Sequence, residues 1–219
     1  MEISTLAQAV SLSLQRLQAA KSTESFAPLT IQPIYNRRFR ATQPRELAAV
    51  PKAILETLER AEVGKTRWPL YIHGQPGNGK TCAALAISDH VERSEFFTFE
   101  QFTAKTNDVK FGRATFTAGG QMNPEGYREV THEINWTVQR WNQHLASAPL
   151  VLLDDVGTRD RSSEAAYEAF KGLLDSRDGK PLIVTSNHDV SVMATIFDPR
   201  VFDRLASGTV VELVGTSRR

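Results

Sequence analysis

Apolar residues along this chain recur in two different patterns. At the N-terminus Ile3, Leu6, Val10, Leu14 and Leu17 fall at helical spacing, with Thr5 and Gln8 in the capping-box relation. That pattern predicts an amphipathic helix of about 15 residues. After Ala20 the stretch KSTESFAPLTIQP is polar and punctuated by proline, which reads as a tether. From Ile34 onward the pattern is α/β. Helices are predicted near Pro51–Val63, from Lys80 to about Val91, near Thr131–Ala146 and near Ala165–Leu174, and strands at Pro69–His73, Phe96–Phe99, Leu150–Leu153 and Leu182–Thr185. A polar, glycine-containing stretch, Thr106–Gly126, interrupts the series. Strands alternating with helices imply a parallel sheet sandwiched by helices. The chain thus divides into an arm, residues 1–33, and an α/β domain, residues 34–219.

Composition changes this picture in few respects. The 219 residues suffice for one α/β domain with an appendage, and 41% hydrophobic residues is ordinary for a globular protein. A formal charge of +1 describes no polycation, so any nucleic-acid contact has to come from a local patch. One cysteine, Cys82, excludes an internal disulfide framework and a Cys-rich zinc site. No apolar run approaches the ~20 residues that span a bilayer, and no basic segment followed by an apolar core marks a signal peptide. The expectation is a cytoplasmic protein with no membrane partner.

Chemistry concentrates in four stretches. GQPGNGKT, Gly74 to Thr81, matches the P-loop pattern between a predicted strand and a predicted helix. Gly74, Gly77 and Gly79 let backbone N–H groups of the loop close around the phosphates, with Gln75, Pro76 and Asn78 completing the nucleotide-binding stretch, and the helix N-terminus adds positive potential. Lys80 would reach the β/γ-phosphates and the Thr81 hydroxyl would ligate Mg²⁺. Cys82 completes the nucleotide-binding stretch as a small buried helix residue. In LVLLDDVG, Asp154 and Asp155 emerge at the C-terminal end of a strand, beside the phosphates. Asp154 suits the Mg²⁺ shell, and Asp155 points elsewhere and can orient or polarise the attacking water.

DDVG also fits the DxxG of GTP-binding proteins, but TSNHD lacks the Asn-Lys-x-Asp that selects guanine, so ATP is favoured. The third stretch, PLIVTSN, ends a strand in a polar amide, Asn187, placed to act as a sensor of the γ-phosphate or the water. The fourth, DPRVFDRL, puts Arg200 and Arg204 on one helix face. Fourteen residues follow Leu205, too few for a helical lid to carry these arginines. Either Arg204, ahead of Arg200, is a finger offered to a neighbouring subunit, or the pair makes local salt bridges with Asp198 or Asp203.

NRRFR, LYIHGQPGNGKT, LVLLDDVG, LIVTSN and VFDRL occur in the order and spacing seen in the DnaC/DnaI/IstB-like group of AAA+ ATPases, which residues 35–219 resemble. The combination is specific, since each motif alone is common. The resemblance implies a lid-poor AAA+ core, with Lys80 and Thr81 as Walker A, Asp154 and Asp155 as Walker B, Asn187 as sensor 1 and Arg204 as the finger. It further implies correspondence of Arg218 to a late arginine near the nucleotide. Many relatives have Glu where this chain has Asp155, and the shorter arm would slow hydrolysis.

The resemblance also implies an oligomeric ATPase that loads a replicative, DnaB-like helicase onto single-stranded DNA, or one that assists a DNA transposase. The arm helix would dock on that partner or pack on its own core. KTNDVKFGRATF combines Lys105, Lys110 and Arg113 with Phe111 and Phe116, either a single-strand binding patch or an insertion with buried phenylalanines. A small-molecule nucleotide kinase would need an arginine-rich lid that nothing between Leu174 and Leu205 supplies. A nucleotide-gated adaptor with negligible turnover stays open because of Asp155.

Overall fold

The computed structural model describes residues 51–62, 64–118, 132–158 and 162–214. The predicted arm helix, its tether, the NRRFR segment and Arg218 lie outside them. Among these residues the central sheet has five parallel strands, β1 (Leu70–His73), β2 (Glu95–Thr98), β5 (Val151–Val156), β6 (Leu182–Ser186) and β7 (Thr209–Glu212). Their order across the sheet is β2-β5-β6-β1-β7. All residues of β1 and β6 are buried, as befits central strands covered on both faces.

Alternation along these strands divides the core in two. Leu70, Ile72, Leu152 and Ile183 face α1 (Lys52–Glu62) and α2 (Lys80–Asp89), where they meet Ile54, Leu58, Ala83 and Ile87. Tyr71, Val151, Leu153, Leu182 and Val184 face the other side. That side is covered by α3 (Phe99–Lys110), α4 (Val138–Ser147), α5 (Glu164–Ser176), α6 (Met193–Ile196) and α7 (Pro199–Ala206). In α5 the buried residues Ala166, Ala169, Phe170, Leu173 and Leu174 follow an i, i+3, i+4, i+7, i+8 stripe, and the hydroxyl of Ser163 caps its first turn by accepting the N–H of Ala166 at 3.2 Å.

The structure corrects the expected elements at three places. Phe99, predicted to end a strand, opens α3, because Thr98 and Gln101 form a capping box that turns the chain into a helix. The predicted polar interruption therefore begins inside α3, which runs to Lys110. The predicted helix near Thr131–Ala146 is two elements. His132–Asn135 is β4, antiparallel to β3 (Thr115–Ala118), and α4 starts only after Thr137, which caps it. Trp136 consequently lies on no helix. Its N–H donates to the Ala114 carbonyl at 2.8 Å, and its buried ring packs edge-on against Trp141. The third place is β7, which no prediction contained. It pairs with β1 and becomes the sheet's edge.

One buried cation braces this architecture. Arg177, 2% exposed, donates from Nη1 to the carbonyls of Leu145 and Ala148 and from Nη2 to that of Pro181. It ties the C-terminal end of α4, where helix carbonyls lack intrahelical donors, to the turn before β6. Burial pushes its guanidinium down to about 10.

Candidate nucleotide site

Because β1, β5 and β6 are parallel neighbours, their C-terminal ends open on one edge of the sheet. The P-loop follows β1, the two aspartates lie just before the last residue of β5, Val156, and Asn187 follows β6, so the topology gathers three of the four predicted stretches.

The loop is shaped by backbone that side chains resist. Gly77 and Gly79 adopt φ 88° and 86°. Such left-handed turns before a helix direct successive N–H groups to one concave side, the geometry that receives phosphate. Gly74, at φ 144°, lies so close to the chain after β7 that an added Cβ would stand 2.4 Å from the Leu213 carbonyl oxygen. The loop is stitched to that same segment, with Asn78 Nδ2 donating to Leu213 O at 2.7 Å and Leu213 N to His73 O at 2.7 Å. Lys80 is buried, and its ammonium donates to the carbonyls of Gly74 and Gln75 at 2.7 and 2.8 Å. Burial holds its pKa below the usual lysine range, while Asp155 and Asp154 pull the other way.

Asp154 is buried beside this loop. It accepts the Thr81 hydroxyl at 2.9 Å, and a second hydroxyl from Thr185. Burial raises its carboxyl above the ordinary range, Thr185 and Thr81 oppose that shift, and Asp155 adds to it. Thr81 and Asp154 are hard oxygen donors in direct contact, the chemistry that suits Mg²⁺ held through few protein ligands. Asp155 turns away from its neighbour. Its backbone is left-handed, φ 62°, where the register of β5 on β6 shifts, and its side chain is exposed. There its Oδ1 accepts Asn187 Nδ2 at 3.3 Å. The turn carrying Asn187 is pinned on both sides, since Tyr71 donates to His188 O at 2.8 Å and His188 N to Ser186 Oγ at 3.1 Å. Burial raises the Tyr71 phenol above its ordinary value.

Lys80, Thr81, Asp154, Asp155 and Asn187 thus converge, and Gln75 and Pro76 sit exposed on the rim. Cys82 departs from expectation: it is exposed one residue beyond Thr81, because α2 turns that position away from the sheet. Arg204 lies elsewhere. It stands near the end of α7, and Thr209 N then donates to Pro69 O at the N-terminal edge of the sheet, opposite the P-loop. Its guanidinium pairs with Asp175 at 2.9 Å and Asp178 at 3.2 Å on the α5 side, not with Asp198 or Asp203. Asp198 instead caps α7 and accepts the Tyr167 hydroxyl. Arg200 and Arg204 line a shared cleft of about 620 Å³ between α5 and α7.

The expected basic and aromatic patch is divided. Lys105 is partly buried, its ammonium 5.0–5.9 Å from the ring centres of Trp141, Trp136 and Phe97. It serves the core, as no sequence pattern indicated. Phe111 is 65% exposed, with the Arg113 guanidinium 5.0 Å from its ring centre and paired to Asp108 at 3.0 Å. The side chain of Phe116 lies outside the described residues. No helix among the described residues is long and apolar enough to cross a membrane.

Solved structures share this fold. DnaI aligns at TM-score 0.55 and 20% identity over 86% of this chain and 97% of that one. The DnaC helicase loader aligns at TM-score 0.55 and 16% identity over 82% and 98%. AMPPCP-bound DnaA from Aquifex aeolicus aligns at TM-score 0.58 and 20% identity over 77% of this chain and 49% of that one, so this chain spans about half the length of the DnaA chain. No protein-family model and no curated protein sequence matches the chain. The fold shared with these structures is, among the described residues, a parallel sheet of five strands between two helical layers, with the Gly74–Thr81 loop, the two aspartates and Asn187 at one edge.

Proposed function

We propose that this chain, which has the fold of the AAA+ domains of DnaI and DnaC, binds and hydrolyses ATP with Mg²⁺ in an oligomer that loads a replicative helicase onto single-stranded DNA. The observation that carries the reading is the convergence of the Gly74–Thr81 loop, Asp154 with Asp155, and Asn187 at one sheet edge. ATP supplies a phosphoanhydride and Mg²⁺ neutralises the charge on its oxygens. The loop N–H groups and Lys80 bind the phosphates, Thr81 and Asp154 hold the metal, and Asp155 accepts the proton of an attacking water that Asn187 helps to orient. Arg204, on the opposite sheet edge, serves the nucleotide of a neighbouring copy. The solved structures in its support are those of the DnaC helicase loader and of the replication initiator DnaA bound to AMPPCP and single-stranded DNA.

A nucleotide-binding titration, an ATPase assay and a pull-down against a DnaB-like helicase test the reading together. Wild type binds ATP and turns it over, Lys80→Ala loses nucleotide binding, and deletion of residues 1–30 keeps nucleotide binding but loses the helicase. Hydrolysis that survives Lys80→Ala unchanged would remove the site. Capture of a transposase in place of the helicase would replace helicase loading with transposition.

A further inference from the structure

One buried polar side chain of the site has no role in that scheme. Thr185 is 1% exposed within β6. Its hydroxyl donates to Asp154 Oδ1 and accepts the backbone N–H of Asp155 at 3.0 Å. A hydroxyl has one proton to give and lone pairs to receive, so these two bonds fix its orientation. Both partners need such a fixed group. Asp155 sits at φ 62°, a conformation uncommon for residues with a Cβ, at the point where the β5–β6 register shifts. Its N–H is taken by the Thr185 side chain instead of a strand carbonyl, and the bulge directs its carboxylate outward to Asn187. Asp154 leans on two hydroxyls, and one of them, Thr81, is the group expected to ligate Mg²⁺.

We propose that Thr185 is the positioning residue of the double-acid motif, holding Asp154 for the metal while it locks the left-handed turn that aims Asp155. The inference rests on the ATP-binding reading and adds to it a buried residue that acts through the two acids. One hydroxyl sets both acids, so its loss disturbs metal use and turnover together but spares the phosphate contacts made by the loop and Lys80.

The test compares Thr185→Val, which keeps shape and loses the hydroxyl, with Thr185→Ser, which keeps the hydroxyl. Three readouts are taken: affinity for a fluorescent ATP analogue without metal, the Mg²⁺ concentration that half-saturates its metal-dependent signal, and kcat. Thr185→Val should bind the analogue without metal like wild type, need about tenfold or more Mg²⁺, and lose about ten- to a hundredfold in kcat, the scale of one hydrogen bond to a charged group. Thr185→Ser should match wild type in all three. Should Thr185→Val melt far below wild type, Thr185→Cys, whose thiol is a weak donor and acceptor, replaces it with the same expectation. An unchanged Mg²⁺ midpoint and kcat in the valine variant, or a serine variant as impaired as the valine one, overturns the role of Thr185. A wild-type chain that binds no analogue overturns the ATPase reading itself, a result visible before any variant is made.

Discussion

Arg204→Ala removes a side chain whose contacts within its own chain and whose proposed task differ widely in size. In its own chain Arg204 makes two ion pairs, with Asp175 and Asp178, and the three side chains are 41%, 49% and 74% exposed. Solvent screens such pairs, and each contributes about 0.2–1 kcal/mol, so their joint loss costs at most about 2 kcal/mol. For a domain of this size each kcal/mol moves the melting temperature by about 2–4 °C, which bounds the shift at about 8 °C. A finger acting on the transferred phosphoryl group is worth about 10³–10⁵ in rate, or about 4–7 kcal/mol of barrier. The finger cannot serve its own P-loop, since the four residues of β1 lie between the two sheet edges, about 13 Å of extended chain.

The variant should therefore melt no more than about 8 °C below wild type and lose hydrolysis by three orders of magnitude or more. Wild-type specific activity should rise with protein concentration. Mixing Arg204→Ala with Lys80→Ala should restore part of the activity, because one variant keeps the nucleotide site and the other keeps the finger. A steady-state ATPase assay on each variant and on the mixture reads all of this. Full activity of Arg204→Ala, or a wild-type rate independent of concentration in a monomer, would refute the trans assignment.

Two more perturbations probe Asp154 and the exposed ring of Phe111. Burial raises the Asp154 carboxyl, so the folded chain holds that proton more tightly than the unfolded chain. The stability tied to it is present at low pH and is lost as pH rises from the ordinary carboxylate range through the raised folded value. Asp154→Asn should then melt above wild type at neutral pH, with the gap closing as the wild-type carboxyl protonates, while Mg²⁺-dependent turnover disappears; a variant less stable at neutral pH, with the same pH slope, contradicts this. Phe111→Ala removes an exposed ring and should leave the melt unchanged while weakening binding of a labelled single-stranded oligonucleotide by about 1–3 kcal/mol, and an unchanged anisotropy titration excludes stacking there.

Much of the candidate nucleotide site is legible along the chain because its parts are local. Gly74 to Thr81 are contiguous, and their function depends on the strand before and the helix after, both visible as apolar periodicity. Asp154, Asp155 and Asn187 are equally legible, since each ends an apolar run and parallel strands bring such ends to one edge. Local chemistry also held the Thr98–Gln101 capping box that turns Phe99 into a helix start, a signal four residues long that the apolar run of β2 conceals.

What the tertiary structure alone decides are pairings between distant positions. The β3–β4 hairpin, β7 beside β1, Arg204 with Asp175 and Asp178, Lys105 over three rings and Arg177 on three carbonyls each depend on which segments meet. A basic residue in a polar stretch reads the same whether it faces solvent or, like Lys105, the rings of two tryptophans and a phenylalanine. Thr185 is the clearest case. Along the chain it is a β-branched residue suited to a strand. Only the bulge at Asp155, made by the register of β5 on β6, turns its hydroxyl into the link between the two acids. Periodicity and motifs report what a segment of chain does by itself, whereas register and long-range hydrogen bonds are set by packing the whole sheet, and there the sequence is silent until the chain has folded.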